Sequence, residues 1–116
     1  MNETIIMNKM PVLALRGLTV FPHMNLTFDV ERPISIAALE RAMEADQEIF
    51  LVTQRDVAVD DPHQEDLYGM GTYCKVRQIL KIPGDSIRVL VEGKQRALMH
   101  GLVDEEPYLT ADIELL

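Results

Sequence analysis

Residues 25–30 (NLTFDV) alternate cleanly, with Leu26, Phe28 and Val30 on one side and Asn25, Thr27 and Asp29 on the other. A period of two marks a strand with one buried and one wet face. Residues 108–115 (YLTADIEL) repeat the pattern, setting Leu109, Ala111, Ile113 and Leu115 against Thr110, Asp112 and Glu114. In residues 72–82 (TYCKVRQILKI) Cys74, Val76 and Leu80 fall inward, and Tyr73, Lys75 and Arg77 outward. Gln78 interrupts the inward set, which predicts a bulge or a polar contact near it. Pro83-Gly84-Asp85 then forms a turn, because proline presets the first angle and glycine supplies a positive φ. Residues 86–92 (SIRVLVE) return as the hairpin partner, Gly93 is expected to end that strand, and residues 97–103 (ALMHGLV) begin another.

Other segments are apolar without alternation. Residues 10–15 (MPVLAL) are too few for a stable helix and read as a buried strand; residues 48–54 (EIFLVTQ), apolar on both faces, read as a central one. Residues 18–21 (LTVF) have β-branched and aromatic character and are stopped by Pro22, so a further short strand is expected there. The period changes over residues 31–47. Ile36, Leu39 and Met43 recur at three- and four-residue spacing with Ala42 beside them, while Glu40, Arg41 and Glu44 lie opposite. With Pro33 near the start, this is one helix of about three turns. Residues 55–66 are acidic, contain Pro62 and read as a surface loop. Gly69 and Gly71 bracket Met70, a spacing that suits a tight bend at a barrel corner.

The pattern thus predicts a mainly β fold of about seven strands and one helix, a barrel or a sandwich. Residues 1–9 read as a flexible leader and residues 10–116 as the folded domain. Leu116 falls within a strand pattern without a polar tail, so the chain reads as a C-terminally truncated fragment of something longer.

Composition narrows the function. At 116 residues and 13.2 kDa there is room for one core and no separate nucleotide-binding domain. Lys and Arg number 11 against 19 Asp and Glu, a net charge of −8 that repels phosphate backbones. Cys74 is the sole cysteine, which excludes an internal disulfide and fits a reducing compartment, the cytoplasm. No apolar run approaches a membrane span, and the first ten residues lack a secretory core.

Catalytic machinery is not legible. His63 lies among Asp60, Asp61, Glu65 and Asp66, but without a second histidine or a cysteine it reads as part of a solvated loop. His100 reads as a surface or hydrogen-bonded residue, and nothing pairs with His23. Cys74 reads as a small buried hydrophobe. Neither a phosphate-cradling Gly-x-x-x-x-Gly-Lys-Ser/Thr run nor a Gly-x-Ser-x-Gly elbow occurs. No catalytic, metal or cofactor residue is expected. The seven methionines are the unusual feature. Met43 and Met99 read as core fillers, whereas Met24 and Met70 fall in turns and are expected to be exposed, as a peptide-contact surface requires.

The stretch MPVLALRGLTVFPHMNLTFDV, with Leu15-Arg16 and Phe21-Pro22, resembles the opening of the N-terminal domain of the Lon proteases. ERPISIAALERAM, EIFLVTQRD and DLYGMGTYCKVRQILKIPGDSIRVLVEGKQRA resemble its helix, its next strand and its glycine-containing hairpin block, in the same order over residues 10–116. The resemblance implies a compact PUA-like pseudo-barrel with one helix packed on it. It implies the substrate-recognition portion of a cytoplasmic, homohexameric, ATP-dependent serine protease that degrades misfolded and short-lived regulatory proteins. ATP, Mg and a Ser-Lys dyad would belong to the parent, outside this segment. Phe21, His23, Met24, Leu67, Tyr68 and Met70 are the expected contacts with unfolded or damaged protein, and Arg16, Glu92 and Arg96 the expected structural groups at strand ends. The isolated domain would be a monomer or weak dimer. A stand-alone domain of the same family and an RNA-binding PUA-like module are the alternatives; charge and sparse aromatics disfavour the second. A small-molecule pocket, as in eukaryotic relatives, has little to recommend it.

Overall fold

The computed structural model describes residues 7–105 and 107–116, and every side chain among them except those of residues 104 and 105. Residues 1–6 of the expected leader and Glu106 lie outside the described residues. The elements are β1 (Met7–Leu15), β2 (Asn25–Val30), α1 (Pro33–Glu44), β3 (Glu48–Thr53), β4 (Met70–Lys81), β5 (Ile87–Glu105) and β6 (Tyr108–Leu115), with a single 3-10 turn at Gln64–Asp66. Six strands are therefore described where about seven were expected. Two expected strands are one: β5 runs for 19 residues straight through Gly93. Residues 18–21 form no strand. At the other end, residues 7–9 of the expected leader belong to β1, pairing with Asp112, Ile113 and Glu114.

The long β5 explains the architecture. Its first half pairs with β4 and its second half with β6, so the order β2-β5-β4-β3-β1-β6 closes on itself through β5–β6. Five strands make a barrel, and β2 hangs on the outside of β5. The β1–β3 pair is parallel, a connection that needs a crossover, and α1 supplies it. Closure leaves the ring strands without open edges along their paired lengths.

Two apolar clusters occupy the two faces of this sheet. Met10, Val12, Phe50, Ala97, Met99, Leu109, Ala111 and Ile113 form one, with Tyr73 packed against it; it draws on all five ring strands and fills the barrel. Leu13, Leu15, Leu51, Cys74, Val76, Val89 and Val91 form the other, outside the ring, under α1 and β2. From α1 the residues Ser35, Ala38, Leu39 and Ala42 are buried, whereas Met43 is 37% exposed and is no core filler. Leu39 rather than Met43 anchors the helix, because the barrel meets α1 along its Ser35–Ala38–Leu39–Ala42 stripe.

The expected irregularity at Gln78 is present as a register shift between Val76 and Gln78. Its consequence reverses the reading beyond it. An extra residue flips the alternation, so Ile79 packs on the core and Leu80 is 49% exposed instead of buried. The Pro83-Gly84-Asp85 hairpin forms as expected, with Gly84 at φ +94°. Gly69 lies at a bend, but Gly71 is inside β4, where its missing side chain makes room for the Phe50 ring.

Candidate functional site

Residues 18–24 cross the outer face of the barrel as a strap, and the residues beneath them explain why. The Thr53 hydroxyl donates to the Leu18 carbonyl at 2.9 Å and lies 3.2 Å from the Thr19 hydroxyl. One strand further, the buried Thr72 hydroxyl donates to the Val20 carbonyl at 2.6 Å. One strand further again, the His23 amide donates to the Gly93 carbonyl at 2.8 Å, and the Gly93 amide donates to the Met24 carbonyl at 2.7 Å. Val20 is buried beneath the strap. The strap thus crosses β3, β4 and β5 in succession, satisfying its carbonyls with side-chain hydroxyls where a strand would use a ladder.

This fixes what the strap displays. A turn bond from the Met24 amide to the Phe21 carbonyl (3.2 Å) and a left-handed His23 (φ 68°) lift Phe21 to the tip, 47% exposed. The Arg96 guanidinium stands 5.2 Å over its ring. Arg96 pairs across the ladder with Thr72, and Leu98, two residues on, pairs with Met70, itself 47% exposed. Tyr68 precedes Met70 by two residues, is 46% exposed, and carries the Arg55 guanidinium 4.7 Å over its ring. Its amide donates to the Thr53 carbonyl at 3.2 Å, on the residue whose hydroxyl holds Leu18. Phe21, Tyr68 and Met70 therefore lie on backbone tied to one scaffold, and two of them form cation–π pairs with arginines. His23 is exposed beside Phe21, and Met24 is half-buried.

Leu67 does not join them. It is 2% exposed and packs into the barrel cluster. Its backbone is extended (φ −115°, ψ 150°) and bridges Gln54, so Leu67 and Tyr68 project to opposite sides and only one can face solvent. Arg55, which the sequence reading passed over, and Arg96, assigned there to structure, both stack on aromatics of the expected contact set. Arg16 and Glu92 are paired as expected, Arg16 with Asp60 at 3.0 Å and Glu92 with Arg77 and Lys94. The Arg77 and Lys94 hydrogen bonds hold the Glu92 carboxyl below its ordinary pKa.

Arg32, just before α1, donates to the buried Gln54 side chain and to the Ala14 carbonyl, each at 2.6 Å. Burial, with the charge of Arg16 nearby, lowers its pKa from the usual arginine value. His100 lies 2.7 Å from Glu114 on the surface. Among the described residues no group of three His, Cys, Asp or Glu side chains converges as a metal site would require. No helix among them is long and apolar enough to cross a membrane.

Cys74 is fully buried, and burial pushes its thiol up to about 12. The folded domain is therefore expected to resist alkylation by iodoacetamide at pH 8, with modification appearing only in denaturant; ready modification of native protein would refute the burial. A raised thiol pKa also sets a sign. Stability from the neutral thiol is intact below pH 9, its ordinary value, and falls as pH rises toward 12.

The model of the ATP-dependent protease La (LON) substrate-binding domain matches residues 9–116. The chain belongs to this family. It is 47% identical to the Lon protease of Clostridioides difficile over 113 residues, covering 97% of this chain and 14% of that protein. It is likewise 47% identical to Lon protease 1 of Bacillus subtilis over 106 residues, or 91% of this chain and 14% of that protein. The Lon-type chain thus spans about one-seventh of these relatives. The N-terminal domain of the Mycobacterium avium complex Lon protease superposes with a TM-score of 0.75 at 17% identity, over 94% of this chain and 55% of that one. A Lon N-terminal domain protein from Xanthomonas campestris gives 0.70 at 7% identity, over 93% and 59%. These Lon folds match the β barrel with one packed helix described above.

Proposed function

We propose that this domain captures exposed apolar segments of unfolded or damaged polypeptides for an ATP-dependent serine protease, and that it contributes no catalytic residue itself. The observation that carries the reading is the half-exposed set Phe21, Tyr68 and Met70 on backbone tied down by Thr53, Thr72 and Gly93. Apolar groups held in place at the surface by a rigid scaffold cost little ordering entropy when a partner covers them. A thioether adapts to varied side chains, and the aromatics supply area at low entropic cost. Arg55 and Arg96 keep the patch soluble between encounters and add polar contacts at its rim. His23 and Met24 extend it.

A single patch of this size binds weakly. In the longer protein, display on a homohexamer would raise the effective affinity by orders of magnitude without new contacts. ATP, Mg and the proteolytic centre belong to the rest of that protein, and the cytoplasm is its compartment. An RNA-binding reading has only the PUA-like barrel to support it, against a net charge of −8.

The test is capture of carboxymethylated, permanently unfolded α-lactalbumin, followed by fluorescence anisotropy. The combined variant Phe21→Ser, Tyr68→Ser, Met70→Ser is expected to bind at least about tenfold more weakly, since each buried apolar side chain contributes on the order of 1 kcal/mol. Its melting temperature is expected to stay within about 3 °C, as surface substitutions cost little. Undiminished binding by a folded triple variant would sink the patch.

A further inference from the structure

Two open flanks of the sheet, the far half of β4 and the outer side of β2, are built differently. Beyond Lys75 no strand other than β5 pairs with β4, although the Val76 amide donates to the Gln47 carbonyl at 2.8 Å. That open flank carries Arg77 and Lys81 and the register shift after Val76, the charges and bulge that protect an edge against further strand addition. The other flank is β2. It pairs with β5 over six consecutive residues with no register shift, and no other strand joins it. It contains no lysine, arginine or proline, and its one charged residue, Asp29, is held by Arg88 at 2.9 Å. In an antiparallel strand every second residue turns its N–H and C=O away from the partner. On β2 those groups meet no hydrogen-bonding partner among the described residues.

A cleft of about 240 Å³ lies along this open side. The consecutive residues Phe28, Asp29, Val30 and Glu31 all line it, so it follows the flank of the strand rather than one face. Leu15 and Leu18 supply apolar wall opposite, while Arg16 and Arg32, which also reach it, are occupied by Asp60 and Gln54. Glu31, at the end of β2, forms no ion pair among the described residues and leaves the rim acidic.

We infer that β2 is a second docking site, which takes an extended polypeptide segment as an added antiparallel strand. Its main-chain groups supply the affinity, alternate apolar side chains of the segment enter the cleft, and a basic flank of the segment meets Glu31 and the −8 charge of the domain. The inference rests on the reading that the domain binds polypeptides, but it does not use the Phe21 patch. Main-chain recognition is indifferent to sequence, which suits clients that share only the property of being unfolded.

The probe is an acetylated peptide, Lys-Val-Thr-Val-Thr-Val-Thr-Lys amide, beside the same peptide N-methylated at every Val and Thr. The expected result with the 116-residue chain is slowed amide exchange within residues 25–30 and shifted resonances there and at the cleft residues Leu15, Leu18 and Glu31, with binding at least tenfold weaker for the methylated peptide. Equal binding of both peptides would mean apolar contact without strand pairing and would overturn the inference. So would concentration-dependent broadening of β2 without peptide, which would assign the flank to a second copy of the chain. The Phe21, Tyr68, Met70 triple variant separates the two sites. If it still captures unfolded α-lactalbumin while the peptide protects β2, the patch falls and the strand site stands. If it loses capture and the methylated peptide binds undiminished, the reverse holds.

Discussion

Gly71→Ala is expected to cost this domain about 3 kcal/mol, or about 10 °C of melting temperature. A Cβ at Gly71 would lie 2.4 Å from the Leu51 carbonyl oxygen and 2.6 Å from the Phe50 ring. Neither neighbour has anywhere to go. Leu51 is fixed on β3 opposite Thr72, and Phe50 is fully buried in the barrel. A barrel wall cannot swell at one point without stretching the ladders on both sides of it, so the cost exceeds that of an added methyl in a deformable core. Urea unfolding followed by circular dichroism measures it. Phe50→Leu in the Gly71→Ala background checks the cause: part of the loss should return if the ring is the obstacle. A loss under about 1 kcal/mol for Gly71→Ala would mean that the wall yields there.

What the chain's pattern revealed, and what it hid, divides along the same physical line. Segments whose pairing follows from local alternation were readable to the residue. Leu26 and Phe28 pack on the outer core from β2 as the period of two requires, and Leu109, Ala111 and Ile113 fill the barrel from β6. The bulge near Gln78 was readable too, because a glutamine on an inward position has to be removed from it. Its effect on Leu80 was also contained in that reading, since an extra residue must shift every later side chain to the other face.

The strap was not readable. Residues 18–21 have the composition of a strand, and their extended backbone satisfies the same propensity. What makes them a strap is the placement of Thr53, Thr72 and Gly93, which lie 35, 52 and about 70 residues away along the chain and meet only through the fold. The same limit governs the candidate site. Phe21, Tyr68 and Met70 could be singled out as apolar residues beside turn signals, although Met70 proves to be the first residue of β4, but Leu67 could not be told from Tyr68 without knowing the bridge to Gln54. Nor could the stacking of Arg55 and Arg96 be foreseen, since each pair joins separate elements. Gly93, taken as a strand breaker, is instead a point of contact.

Gly93→Ala is therefore the substitution expected to join stability to binding. A Cβ there would lie 2.2 Å from the Phe21 carbonyl oxygen and 3.1 Å from its carbon. The strap cannot slide aside, because the two main-chain bonds that tie it to β5 are made by Gly93 itself. Either both bonds break or β5 moves, and β5 is held by β2 on one side and β4 on the other. The cheaper outcome is a lifted strap, with a loss of about 2–3 kcal/mol from two broken hydrogen bonds and the exposure of Val20. Phe21 would then be presented on loose backbone, so binding of unfolded α-lactalbumin should fall about tenfold, the entropic cost of ordering about one residue again. Thr72→Val supplies the comparison: it removes the hydroxyl under the Val20 carbonyl, costs about 1–2 kcal/mol, and leaves the Gly93 bonds in place. Resonances of residues 18–24 should move in both variants and those of the barrel interior in neither. Leu18 belongs to both the strap and the wall of the β2 cleft, so Gly93→Ala should weaken client capture through Phe21 more than it weakens the protection of residues 25–30 by the alternating peptide. Retention of full client binding with a displaced strap would show that presentation of Phe21 is not what the domain uses.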